Sequence, residues 1–497
     1  MEKIDKNVRK VTRKIKKLYG ESPDLNTRII DIQGQKIGCL FFESSSQTST
    51  ISDFIIKAVD YTKDNIFDDL FESLKNNMFN SQVIIIDDFS QFPYFLSSGF
   101  TIIVVDKCDK AIVMETRAQL DRGVTESTTE PILRGSKDSF TESHSKNLGL
   151  LRKRIKDPNL WFSELKVGRR TQTRISIAYM NDIVDKKNVD EITKKLKKIN
   201  IDGILDSGNL IDYLTQNKSS FPQFQSTERP DIVCQALLDG KIVIIVENCP
   251  FTIILPTVFI DYFHTSEDQY QKSVNISFTR VLKIFAFLIT LFTPAIYIAI
   301  TTFDQNTVPD KLLISLAVQR EGVPFPTAFE IILLMTIFEI LRESDIRSPS
   351  GMSAAMSIVG ALVLGQAAVD AGIVSPITVI VVAITSICSM IFTDIDFING
   401  IRAWRFIFII AASFLGLIGV LSASLILLIK LASLENYKTS YLSPFAPFNL
   451  KAQKDAIVRF SISHIFKRPK YISEKNQTRQ RRSSWKKYYL LYLFVLS

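Results

Sequence analysis

Cysteine and histidine are scarce in this chain, and the few present form no pattern. Among 497 residues, Cys39, Cys108, Cys234, Cys249 and Cys388 show no CxxC spacing, and His144, His264 and His464 stand far apart. This argues against a disulfide-stapled ectodomain, fits a reducing compartment and leaves no His/Cys cluster for a metal. A P-loop, a GxGxxG fingerprint, a GxSxG elbow and an HExxH helix are also missing, so the expectation is a non-enzyme with no cofactor. Residues 1–20 are basic but lack the apolar core of a secretory signal, which keeps the expected soluble region in the cytoplasm. Zinc-finger spacing is absent too. The formal charge of +9, concentrated at the two ends, is therefore assigned to anionic lipid and not to nucleic acid.

Long apolar runs are what the chain does have, and they are confined to its C-terminal half. The stretches 284–303, 348–369, 371–393 and 406–429 lack any charged residue. Each approaches the ~20 apolar residues that cross a bilayer as a helix. Residues 1–280 mix charge with short apolar runs, as soluble domains do. The expected fold class is a multi-domain integral membrane protein: a soluble α/β N-terminal region of two subdomains, then an all-α transmembrane domain and a basic tail.

Taken in order, residues 1–20 put Ile4, Val8, Val11, Ile15 and Leu18 on the stripe of a basic amphipathic helix. That stripe either docks on acidic headgroups or lies on the neighbouring domain. Residues 27–114 alternate β-branched runs with amphipathic stretches and predict a first α/β subdomain built on a mostly parallel sheet. Asp87, Asp88 and Asp106 follow its strands, where ligands can sit but where carboxylates more often form turns. Residues 115–168, rich in Thr, Ser, Glu and Arg, read as a connector, and 169–270 as a second α/β subdomain with a hairpin about Asn248–Pro250. The transmembrane domain covers 281–430, and 431–497 is the basic cytoplasmic tail.

Four spans near 281–303, 350–369, 373–393 and 405–429 keep both basic ends in the cytoplasm if the shorter segment 325–343 is interfacial or re-entrant. If it crosses, there are five. Pro294 lies inside the first span and is a candidate kink. Glu330 and Glu339, nine positions apart, fall on opposite sides of a helix and meet different neighbours. Glu330 is the candidate for lining a cation path, and Glu339 for a surface pair with Arg342. Gly360 and Gly365 belong to a small-residue helix that permits close packing, and Gln366 and Asp370 at its end are candidates for interhelical bonds or ion contacts. The Leu- and Ile-rich last span reads as a lipid-facing anchor.

Specific strings then accumulate: VGRRTQTR at 167–174, STERPD at 226–231, FEILRE at 338–343, SIVGALVLGQAAVDAGIVSP at 357–376, and DAIVRF followed by FKRPK. Together they resemble the A subunit of the GerA-type spore germination receptors, over residues 36–470. The resemblance implies a multi-pass receptor in the spore inner membrane with B- and C-type partner subunits, assembling as a homo-oligomer. It also implies a response to a small-molecule germinant that starts ion release, by forming or gating an ion channel. Two positions depart from the family pattern. Met335 stands where a glutamate is common before FEILRE, and Phe392-Thr393-Asp394 replaces a common Ile-Pro-Ser turn. A reading from another class, a secondary transporter with a cytosolic regulatory domain, requires internal repeats in the membrane block, and no convincing self-similarity stands out there.

Overall fold

The computed structural model describes the chain apart from residues 1, 33, 54–56, 58–69, 77–82, 119–129, 131, 133, 216–218, 348–364, 449–451, 474 and 481–497. The chain divides into two units: Met1–Gln216, Phe224–Thr257 and Ser461–Ser497 form one, Asn217–Gln223 and Val258–Phe460 the other.

The first unit is one arrangement made twice. Its first copy runs α1 (Val8–Leu18), β1 (Leu25–Ile32), β2 (Gln35–Phe42), α2 (Leu70–Asn76), β3 (Val83–Ile86), α3 (Phe92–Ser97), β4 (Phe100–Val105) and β5 (Ala111–Glu115). The second runs α4 (His144–Arg154), β6 (Leu160–Val167), β7 (Thr173–Met180), α5 (Lys186–Lys198), α6 (Ser207–Leu214), β8 (Gln225–Thr227), α7 (Pro230–Asp239), β9 (Ile242–Val246) and β10 (Thr252–Leu255). The strand orders, β1-β2-β4-β5-β3 and β6-β7-β9-β10-β8, trace the same path. The repetition reaches single residues. Stretches 99–116 and 240–257 align without a gap, each with a left-handed glycine before the strand (Gly99, Gly240) and a left-handed turn residue (Lys107, Asn248) followed by a cysteine (Cys108, Cys249). At Gly99, a Cβ would stand 2.6 Å from the Ser45 carbonyl oxygen, so the turn admits only glycine.

Among the described residues every strand pairing in these two sheets is antiparallel, which corrects the expected mostly parallel sheet. The cause of the misreading is burial on both faces. Ile102 and Val104 of β4 enter one core with α1 and α3, while Ile103 and Val105 enter another with α2. A strand covered on both sides loses the polar-apolar alternation by which antiparallel strands are usually recognised. The segment 115–168 also proves to be more than a connector, because it contains α4 and the edge strand β6, whose residues pair with the whole length of β7.

The apolar stripe of α1, Val8, Val11 and Ile15, is buried in the first core, so of the two readings of this helix the packing one holds for the stripe. Asp88 and Asp106 act as local caps: Asp88 accepts the Glu2 and Ser90 N–H groups, and Asp106 that of Val8 at 3.2 Å. The two copies are joined by a buried ion pair. Arg152 of α4 donates Nε and Nη2 to the Asp24 carboxylate at 2.6 and 2.9 Å, while its guanidinium lies 3.8 Å from the Phe42 ring centroid. Residues of the C-terminal tail close the second copy: Arg468 Nε donates to the Leu238 carbonyl at 2.6 Å, and Asn476 to Asp182 at 3.0 Å.

The second unit is helical: α8 (Ser273–Thr302), α9 (Asp310–Arg320), α10 (Thr327–Arg347), α11 (Pro376–Ser389) and α12 (Ile395–Ser433). By length and composition, α8 and α12 are long and apolar enough to cross a membrane, with mean hydropathy of 2.2 and 2.5. Around the midpoint of α8, Phe259, Tyr262, Phe263, Phe287, Phe392 and Phe397 form an aromatic cluster, with Tyr262 stacked on Phe397 at 4.8 Å. Phe392, one of the departures from the family pattern, thus has a packing role. Arg280, two turns before Phe287 on α8, is buried, donating Nε to Asp268 at 2.8 Å and Nη1 to the Asp455 carbonyl at 2.5 Å.

α12 is not one rod. At Gly416 the backbone takes φ 57° and ψ −140°, a region open to glycine and costly for other residues. The chain reverses there. A Cβ on Gly419 would stand 2.1 Å from the Ala411 carbonyl oxygen, and Lys430 Nζ lies 5.7 Å from the Trp404 ring centroid. A straight helix would hold Trp404 and Lys430 about 39 Å apart. Leu417 N–H donates to Asp304 Oδ2 at 2.9 Å, fixing the tip beside the C-terminal end of α8. The single anchor expected at 405–429 is therefore a helical hairpin. Gly416, Gly419, Ala412 and Ala423 let its arms approach, and Phe414, Ile418 and Leu421 remain exposed.

α10 and α11 both run from the Asp304 end of α8 toward the level of the aromatic cluster. Thr327 Oγ1 meets Thr301 Oγ1 at 3.3 Å, Tyr297 Oη meets Thr378 Oγ1 at 3.4 Å, and Phe392 after α11 joins the aromatic cluster. The segment expected to be short, 325–343, belongs to a 21-residue helix, which is about 31 Å long. Arg342 and Glu343 had concealed its continuation. Most of the expected span 350–369 lies outside the described residues.

Candidate functional site

Glu330 occupies the first turn of α10 and is fully buried. Its Oε2 accepts the Ser375 N–H at 2.9 Å and the Thr378 hydroxyl at 3.0 Å. Ser375 is the residue that opens α11, so the carboxylate takes the place of a capping side chain at a helix N-terminus. Oε1 has no hydrogen bond and faces Arg320 Nη2 at 3.7 Å. Around it the hydroxyls of Ser375, Thr378, Tyr297, Thr301 and Thr327 line the seam between α8, α10 and α11. A carboxylate with one oxygen fixed and the other held only by a long ion pair can exchange that partner for another cation.

Glu339 lies on the other side of α10, as the nine-residue spacing requires, and its surroundings are richer than the expected surface pair. Arg405 Nη2 donates to Oε1 at 2.5 Å, and Arg402 Nη2 stands 2.6 Å from Oε2. Arg342 Nε is more distant at 3.6 Å. The dominant partners come from α12, 60 and more positions away, and no local spacing announced them. Their signal was the unbroken apolar run beginning at Phe406: arginines at its threshold require a carboxylate at the same depth.

The remaining candidates separate. Pro294 is buried inside α8. Gln366 and Asp370 are exposed and bond to each other at 2.9 Å. Gly365 is buried, with Val379 3.5 Å from where its Cβ would be, an ordinary packing distance. Gly360 lies outside the described residues. Among the described residues no group of His, Cys, Asp and Glu is arranged to hold a metal.

A family profile described as Bacillus/Clostridium GerA spore germination protein matches residues 13–471. The chain belongs to the GerA family of spore germination proteins. It is 31% identical to spore germination protein GerLA of Bacillus cereus over 96% of this chain and 97% of that protein. To spore germination protein KA of Bacillus subtilis it is 40% identical over 78% of this chain and 71% of that protein. The uncharacterized membrane protein YfkQ of Bacillus subtilis is 35% identical over 82% of this chain and 79% of that protein. The crystal structure of the N-terminal domain of the A subunit of the Bacillus megaterium spore germinant receptor GerK3 matches 52% of this chain and 98% of that one, at 28% identity and a TM-score of 0.42.

Apart from 357–376, whose first residues lie outside the described ones, the strings that resemble the GerA family fall on turns and ion pairs. In VGRRTQTR, Gly168 has φ 92° in the β6–β7 turn. In STERPD, Thr227 Oγ1 accepts the Arg229 N–H, and Arg229 pairs with Asp231 at 2.7 Å, both side chains buried. FEILRE carries Glu339 and Arg342, DAIVRF carries Asp455, and FKRPK carries Arg468. Met335, the other departure, is 1% exposed between the levels of Glu330 and Glu339.

Proposed function

We propose that the chain is the A subunit of a nutrient-germinant receptor, a multi-pass protein of the spore inner membrane that assembles with B- and C-type subunits and with further copies of itself. Its task is to form or gate a cation path in response to a small-molecule germinant. It carries out no reaction. The observation that supports this most directly is Glu330, a buried carboxylate in a hydroxyl-lined seam whose second oxygen is held only by Arg320 at 3.7 Å. A cation entering the seam competes with Arg320, and the packing of α10 against α11, which Glu330 secures through Ser375 and Thr378, is then the element whose two arrangements a germinant would bias.

The test is Glu330→Gln in a spore carrying the whole receptor. Glutamine keeps an acceptor for Ser375 and Thr378 but removes the charge. Germination-linked ion release should slow by about tenfold, with altered ion preference, while the subunit accumulates normally. Unchanged rate and preference refute the assignment. Stoichiometric solute uptake by the purified assembly, without conductance, would replace it with the transporter reading.

A further inference from the structure

The basic face of α1 is a surface that the germination reading does not use. Two of its cations are already matched: Lys10 stands 3.7 Å from the Asp5 carboxylate, and Lys14 pairs with Glu2. Arg9, Arg13, Lys16 and Lys17 differ from these. All four are exposed, and among the described residues none of their side chains has a hydrogen bond or an ion pair. They share one face of the helix, in a row about 12 Å long. Together with Ile29 of β1 and a single carboxylate, Glu21, they line a groove of about 640 Å³.

The groove exists because α1 sits over β2. Gly38 of β2 admits it, since a Cβ there would stand 2.8 Å from Val8 Cγ1. Ile29 is the residue paired with Gly38, one strand further out, and it is 40% exposed. β1 is the edge of the first sheet, and among the described residues its one strand partner is β2. In an antiparallel strand every second residue turns its N–H and C=O away from the partner, so about four residues of β1 offer unpaired backbone groups along that edge. The equivalent helix of the second copy, α4, has both of its arginines neutralised, Arg152 by Asp24 and Arg154 by Asp138. The open row on α1 is thus no by-product of the fold.

A row of cations beside a free strand edge suits an extended chain that brings carboxylates together with its own backbone donors and acceptors. A bilayer suits it less. A helix enters a membrane interface on its apolar stripe, and on α1 that stripe, Val8, Val11 and Ile15, is already buried in the core. We propose that β1 and the cationic face of α1 form a docking groove for an extended acidic segment of a partner protein, which pairs with the outer edge of β1 while its carboxylates meet Arg9, Arg13, Lys16 and Lys17. Alternate side chains of such a strand point to the α1 side, so acidic residues at every second position fit it.

The experiment uses the full-length protein in phosphatidylcholine nanodiscs, with a fluorescein-labelled peptide alternating Glu and Val as the probe. The comparison arms are the same peptide with Lys for Glu, the same peptide with Pro for Val, which lacks the backbone donors, and phosphatidylglycerol nanodiscs. Binding is read by fluorescence anisotropy and the edge of β1 by amide hydrogen exchange. The Glu-Val peptide should bind, weaken as salt rises, and slow exchange across Leu25–Ile32. Arg9→Gln with Arg13→Gln should weaken binding about tenfold without a change in stability, whereas Lys14→Gln, whose cation is already paired, should leave it unchanged. Absence of binding, equal binding of the Lys peptide, or an equal loss with Lys14→Gln overturns the proposal. Equal affinity for the Pro peptide, with exchange in β1 unaltered, overturns strand addition and leaves a site for polyanions. If phosphatidylglycerol nanodiscs slow the same amides and exclude the peptide, the groove is a lipid face and the proposal falls.

Discussion

The reversal at Gly416 makes the sharpest prediction, because a straight and a folded α12 differ by tens of ångströms. As one rod, the 39-residue element would separate spin labels at Ile395 and Ser433 by about 57 Å. Folded, the two ends stand on neighbouring helices, and at the usual interaxial distance of 8–10 Å the labels should fall within about 20 Å. Both positions are exposed, so labelling leaves the packing intact. Pulsed electron spin resonance on the full chain in nanodiscs gives the distance directly. Gly416→Ala is the perturbation. Its Cβ would stand 2.7 Å from Asp304 Oδ2 and 2.8 Å from Phe303 Cβ, on a backbone conformation that itself costs a non-glycine residue about 1–3 kcal/mol. The expected result is a loss of about 3 kcal/mol with a broadened distance distribution. A wild-type distance near 57 Å, or a Gly416→Ala protein with unchanged distance and stability, refutes the hairpin.

Two further predictions concern the first unit. Asp24→Ala should destabilise by about 3–5 kcal/mol in chemical unfolding, since it strands the buried Arg152 guanidinium, and the double variant with Arg152→Met should recover part of that loss. Burial pushes the Glu130 carboxyl up to about 7 from 4.5, partly offset by the hydrogen bond from Thr227 at 2.6 Å. The folded state then binds this proton more tightly than the unfolded state. The contribution to stability is present in full below about pH 4.5 and is lost as pH rises through about 7, by about 3 kcal/mol at most. Glu130→Gln should flatten that slope in melting temperature against pH, and an unchanged slope would show that Glu130 does not titrate there.

What could be seen beforehand follows from which interactions are local. The strands at 37–42, 83–86 and 101–105 and the hairpin about Asn248–Pro250 are announced by runs and turn residues a few positions apart. Strand direction was not, because burial on both faces removes the alternation that would have marked it. The duplication is written openly in Val105-Asp106-Lys107-Cys108 and Val246-Glu247-Asn248-Cys249, once the two are laid side by side. Opposite neighbours for Glu330 and Glu339 followed from helix geometry alone. Their identities did not, since Ser375 and Arg405 are brought in by tertiary packing. Gly416 sits in an apolar run already rich in small residues, and hydropathy carries no mark for a reversal in direction.

The tail that closes on Leu238 and Asp182 has a consequence for counting. The chain leaves the first unit at Thr257 and rejoins it at Ser461, so this domain is interrupted by the helical one. If the interrupted domain lies wholly on one face of a bilayer, residues 258–460 form a closed excursion and must cross an even number of times. In that count the two arms of α12, up to Gly416 and back, enter together as a pair or not at all.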